Sequence, residues 1–153
     1  MGLDSYIYTA SKDLANAFAE YIETSSGDDF LANLARTRGV IGYWRKFSAL
    51  HDWMVQNIQG GDDDCGKYEL DYDDLVALRE KVKRAIIKHD MDIFPPSTGF
   101  FFNPMDYEDW HWNNMQNLLN FLDFLFMNVE NRKGNVYFIG DEWDARIEYQ
   151  ASW

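Results

Sequence analysis

The chain has one cysteine, Cys65, among 153 residues. A lone thiol excludes an intrachain disulfide, a thiolate metal cluster and the framework of a small secreted scaffold. Histidine is nearly as scarce: His51, His89 and His111 stand at no zinc spacing such as HExxH. There is no Gly-rich phosphate loop, no GxSxG elbow and no dinucleotide fingerprint, so no nucleophile, metal or cofactor is expected from a motif. With three prolines and no long polar tract, nothing reads as a linker, and the length suits one domain that buries its own core. The most apolar run, residues 118–127, is interrupted by Asn120 and Asp123 and is too short to span a bilayer. The opening MGLDSYIYTA lacks the basic start and apolar run of a secretory signal. These absences predict a cytoplasmic protein without membrane contact.

Positive charge is also in short supply. Fourteen Lys and Arg face 26 Asp and Glu, for a net charge of −12. Residues 1–88 carry 15 acids and 11 bases (net −4), and residues 89–153 carry 11 acids and 3 bases (net −8). Such a surface repels nucleic-acid backbones, so no direct nucleic-acid binding is expected, and a basic protein is the favoured macromolecular partner.

What the chain has in excess is aromatic residues, at 17%. In residues 3–9, Leu3, Ser5 and Ile7 alternate with Asp4, Tyr6 and Tyr8, which predicts a strand with one polar-aromatic face left for solvent or ligand. Apolar residues at helical spacing follow Ser11, and Asp28-Asp29 caps a second short helix that ends at Arg38-Gly39. Tyr43, Phe47, Leu50, Met54 and Ile58 fall on one stripe, which predicts a helix over residues 42–58. A short strand at 67–70 leads to a helix capped by Asp71. After Pro95-Pro96 the GFFF segment reads as extended, and Asn103-Pro104 starts a long, broadly apolar helix over residues 105–128. The extended runs 136–139 and 146–150 are expected to pair as a terminal hairpin. The fold class is α+β, with about five helices packed on a small, mainly antiparallel sheet formed by both chain ends and the short internal strands.

Taken together, MGLDSYIY, GYWRKFSALHDW, DDCGKYEL, STGFFFN with DYEDW, and the ending EYQASW resemble a family of small, mostly uncharacterised proteins of tailed bacteriophages. Residues 11–38 depart from that family's more charged pattern. The resemblance implies an accessory, non-virion protein acting in the cytoplasm of an infected bacterium, on host defence or regulation. It carries no catalytic signature.

Two binding surfaces are legible. In the first, Tyr6, Tyr43, Trp44 and Trp110 supply rings and Arg45, Lys46 and His51 polar contacts for a small, nucleotide-type molecule. On the predicted helix, Trp44, Ser48 and His51 would share one face. The bland alternative is a large aromatic core with solvated cations. In the second, Asp106, Glu108, Asp109, Asp141, Glu142 and Asp144 form an acidic surface that occupies a basic cleft of a host enzyme. A hydrolase built on dispersed carboxylates and His51 is a third reading, without a motif. Asp62-Asp63-Asp64 is read as a solvated turn because Gly66 and Asp73 miss the positions a calcium loop requires, with a looser magnesium site on these carboxylates as the minor alternative. Stoichiometric binding ranks above catalysis, with no cofactor or metal.

Overall fold

The computed structural model describes residues 2–96 and 104–153, with side chains outside residues 104–107. The GFFF segment and Asn103 lie outside the described residues. The chain runs β1 (Asp4–Thr9), α1 (Lys12–Ser25), α2 (Asp29–Arg38), β2 (Val40–Arg45), α3 (Ser48–Asn57), β3 (Tyr68–Leu70), α4 (Tyr72–Lys88), α5 (Pro104–Asn128), β4 (Val129–Arg132), β5 (Asn135–Phe138) and β6 (Ile147–Ser152). Four strands form one antiparallel sheet in the order β2-β1-β6-β3, and β4 and β5 form a separate hairpin. This is the expected α+β class, with five helices and a mainly antiparallel sheet. No helix among the described residues is long and apolar enough to cross a membrane.

Alternation decides which face of the sheet is buried. Leu3, Ser5, Ile7 and Thr9 point into the core with Trp44, Ile147 and Tyr149, while Asp4, Tyr6 and Tyr8 stay half-buried on the opposite face. Inward residues of α1, α3, α4 and α5 complete one apolar cluster, in which Phe18 packs on Phe121 at 5.1 Å and Phe124 at 4.9 Å. The caps read from the sequence at Asp28 and Asp71 are in place, and the structure adds one at Ser11. Ser11 Oγ accepts from Leu14 N–H, Asp28 from Leu31 N–H, and Asp71 exchanges bonds with Asp74 in a reciprocal capping box. Gly39 closes α2 at φ +69, and a Cβ there would sit 2.5 Å from the Thr9 carbonyl oxygen. Only glycine lets the chain turn there and lie against β1.

Two expectations are corrected. Residues 42–58 are not one helix: β2 occupies Val40–Arg45 and α3 begins at Ser48. Lys46, at φ +54, redirects the chain between them, and its N–H donates to the Leu3 carbonyl at 2.6 Å. Tyr43 therefore shares a strand face with Tyr6 and not a helix stripe with Phe47, and Trp44, Ser48 and His51 do not share a helix face. The terminal hairpin is also different. β5 pairs with β4, which continues directly from α5, and β6 lies between β1 and β3. Non-local pairing wins because the inward set Ile147, Tyr149 and Ala151 meets the inward set Thr9, Ile7 and Ser5 in register.

Candidate functional site

The outer face of the sheet carries a row of tyrosines. Tyr6 and Tyr43 are paired across β1 and β2 with ring centroids 5.1 Å apart, and Tyr8 lies 6.0 Å from Tyr6 along β1. Period-two alternation puts these rings on one face, and antiparallel register sets Tyr43 beside Tyr6. Around the rings lies a recess of about 490 Å³ whose wall includes Phe30, Leu34 and Arg38 from α2, Cys65, and Gln150 of β6. Phe30 is 68% exposed, which leaves an apolar rim on this opening.

The polar groups hold the rings in place. The Tyr43 hydroxyl donates to Asp4 at 3.1 Å, and the Tyr8 hydroxyl donates to Gln150, whose amide in turn donates to the Cys65 carbonyl. Burial first, and the Asp4 carboxylate second, push the Tyr43 phenol up to about 12. Burial likewise raises Tyr6 and Tyr8. All three therefore remain neutral hydroxyls near pH 7. Cations border the row. Lys67 Nζ sits 4.2 Å from the centroid of the Tyr8 ring, Arg38 reaches the recess from the last turn of α2, and Arg45 Nε lies 3.6 Å from Asp4. Carboxylates are present too: Glu148 is the cross-strand partner of both Tyr8 and Glu69. The cationic side of this face is thus the α2 and Lys67 side.

The expected ligand residues do not gather at one place. Tyr6 and Tyr43 meet on the open face. Lys46 is exposed at the β2–α3 corner, its stem 3.6 Å from where a Gly2 Cβ would stand. Trp44 faces inward and is 6% exposed, its ring edge-on to Phe121 at 5.3 Å, so it serves the core. Tyr43, Trp44, Arg45 and Trp110 also line a second groove, of about 530 Å³, between the β2 edge and α5. Trp110 is 40% exposed there while Trp112 packs against the core, as two indoles two residues apart on a helix must.

His51 is elsewhere. It is 3% exposed and belongs to a hydrogen-bonded chain: Asp63 Oδ1 to His51 Nε2 at 2.7 Å, His51 Nδ1 to the Tyr149 hydroxyl at 2.9 Å, and Tyr149 to Ser5 Oγ at 3.0 Å. One tautomer of a neutral imidazole satisfies the chain, with Nε2–H donating to Asp63 and Nδ1 accepting from Tyr149. Burial keeps Tyr149 a hydroxyl, raised above its ordinary range. Ser5 and Tyr149 are fully buried, while Asp63 at the other end of the chain is exposed. The chain is a strut that fastens the 60–66 turn to the sheet. Asp64 of the same turn accepts from Tyr68 and from Gly66 N–H. Within the acidic run, Asp63 thus ties the turn to α3 and Asp64 holds the turn itself.

The acids of the second expected surface do not gather. Glu108 and Asp109 are exposed near the start of α5, where Asp106 also lies in the helix. Asp141 and Asp144 accept from backbone N–H groups of Trp143 and Arg146 in the loop before β6, with exposed Glu142 between them. Ile139 N–H bonds the Asn128 carbonyl, which puts that loop at the C-terminal end of α5. From Asp109 to Asn128 the helix rises roughly 28 Å, so these are two patches.

Tyr8 belonged to the legible set, since it follows Tyr6 by two residues on a strand. Arg38, Lys67, Cys65 and Gln150 gave no local signal, because only tertiary placement brings them to the rings. Comparison of the chain with protein-family models, with curated proteins and with solved structures gives no match.

Proposed function

We propose that the protein acts by stoichiometric binding of a small, ring-bearing anion of nucleotide type on the open face of the sheet. The observation that carries this reading is the row Tyr8-Tyr6-Tyr43 beside a recess of about 490 Å³, with Arg38 in its wall and Lys67 over the Tyr8 ring. Hydrogen bonds at their hydroxyls fix the neutral phenols of Tyr8 and Tyr43 in orientation, with the Tyr6 ring between them, and a planar ring stacks on such a surface with little ordering cost. The two cations supply local attraction for a phosphate or carboxylate against a chain charge of −12. The recess suits a ligand of mononucleotide size better than a polymer, whose extended backbone would meet the acidic remainder. In the setting that the bacteriophage resemblance implies, sequestration of a defence signal is the corresponding role.

Native mass spectrometry of protein purified from cells, before and after denaturation, tests the reading. A defined extra mass that is released on denaturation and is absent from Tyr6→Ala and Arg38→Ala variants is the expected result. Because Cys65 lines the same recess and is exposed, a nucleotide panel should slow its alkylation by iodoacetamide. Bare protein, together with alkylation unaffected by any nucleotide or by a small-molecule extract of infected cells, would sink the proposal.

A further inference from the structure

Among the described residues, the groove between β2 and α5 has a floor with no strand paired to it. β2 is the end strand of the order β2-β1-β6-β3. The phase of its hydrogen bonds follows from one contact: Lys46 N–H donates to the Leu3 carbonyl, so Leu3 and Lys46 are a bonded pair of the antiparallel ladder. Bonded pairs alternate, which makes Ser5–Trp44 and Ile7–Gly42 the next ones toward the N-terminus of β2. The main-chain N–H and C=O groups of Tyr43 and Arg45 fall between them and point away from β1. They open onto the groove of about 530 Å³, walled by Tyr21, Ile22, Asp28 and Leu31 of the α1–α2 region and by Trp110, Asn117 and Phe121 of α5.

From these features we infer that the β2 edge is a docking site for an extended, basic peptide segment that adds as a fifth strand outside β2. Three observations select this occupant. The outward main-chain groups of Tyr43 and Arg45 ask for the alternating donors and acceptors of an extended backbone, which a helix or a rigid small molecule lacks. The floor from Ile41 to Arg45 is about 13 Å long at ~3.3 Å per residue, the reach of about five extended residues. The charge is complementary to a cation. Asp28 lines the groove, Glu108 and Asp109 are exposed next to Trp110 on α5, and the one cation among the described lining residues, Arg45, already faces Asp4. A second copy of the chain is disfavoured, since it would bring another −12 and present a β2 edge recessed between its own helices. Trp110 and the Tyr21 ring offer contacts for alternate side chains of the incoming strand, and Asn117 offers an amide to its backbone or polar side chains.

The test is selection of a displayed random heptapeptide library on the full chain, counter-selected on an Asn117→Trp variant. Asn117 is exposed on α5, so the larger side chain fills the groove without entering the core. The expected result is enrichment of peptides with alternating β-forming residues and Lys or Arg. Their affinity should fall roughly ten-fold or more when alternate peptide amides are N-methylated on the pairing edge, since that removes the hydrogen bonds which define strand addition. Peptides methylated on the opposite edge should bind as before. No enrichment over Asn117→Trp, enrichment of acidic sequences, or binding indifferent to which amides are methylated would each overturn the inference.

Discussion

Gly42 shows how a single residue without a side chain shapes both sides of β2. Its backbone is not in the left-handed region, so turn geometry does not require glycine. Space does: a Cβ would stand 2.6 Å from Cη2 and 2.8 Å from Cζ3 of Trp44, and 3.1 Å from Cε1 of Phe121. The Trp44 indole folds back across its own strand into the room left by Gly42, with Phe121 of α5 against it. Gly42→Ala is therefore expected to destabilise the protein by about 1–3 kcal/mol, the usual cost of inserting a methyl into a filled core. Urea denaturation followed by tryptophan fluorescence measures it, and an unchanged midpoint would show that the indole relocates freely. The same residues explain what a residue-level reading of the site reached. Tyr6 was legible as a ring on the polar-aromatic face of a strand, whereas Tyr43, expected on the apolar stripe of a helix, reaches that face from β2. Trp44 and His51 were not, because a ring or imidazole next to cations in sequence says nothing about which way its backbone faces. His51 instead found Tyr149, 98 residues away.

At the scale of elements, capping chemistry was the most legible signal because it is local. Asp71 precedes α4 with Asp74 three residues on, and both reciprocal bonds are formed, at 2.7 and 3.0 Å. Asp71→Ala removes the acceptor for Asp74 N–H, and the expected loss is about 1 kcal/mol, read as a lower thermal midpoint. Asp71→Ser should retain most of that stability, since a hydroxyl caps as well as a carboxylate, and equal losses for both variants would show that the cap contributes through its charge. The residues 42–58 segment was misread because two periods coincide there. Tyr43 sits four residues before Phe47, which continues to Leu50 and Met54 at true helical spacing, so a strand residue joined the stripe by accident. The stronger clue was the β-branched and aromatic run Val40-Ile41-Gly42-Tyr43-Trp44, ended by Lys46 with its positive φ. The partner of β6 was illegible for another reason. Local hairpins close shorter loops than the pairing of residues 147–152 with residues 4–9, and only the matched burial of two distant inward faces reverses that preference.

For the whole molecule, the acidic balance and one buried imidazole set opposite pH trends. Protonating carboxylates on a chain of charge −12 relieves repulsion as pH falls. His111 works the other way. It is 2% exposed, packed by Phe47 and Trp112 close to Lys46 at the β2–α3 corner, and burial lowers it from 6.5 to about 4. A base whose folded value is depressed takes up its proton first in the unfolded chain. Its contribution is therefore complete above pH 6.5 and is lost progressively as pH falls from 6.5 toward 4. Between pH 6.5 and 4.5 the loss amounts to about 2 kcal/mol at ~1.4 kcal/mol per unit. Comparing the protein with a His111→Gln variant isolates this group, because the carboxylates titrate alike in both. Urea-unfolding free energies measured across that range should show the parent declining relative to the variant as the solution is acidified. Parallel profiles would mean that the imidazole accepts a proton in the folded state as readily as in the unfolded one, and that the packing of α5 against the β2–α3 corner opens to admit the charge.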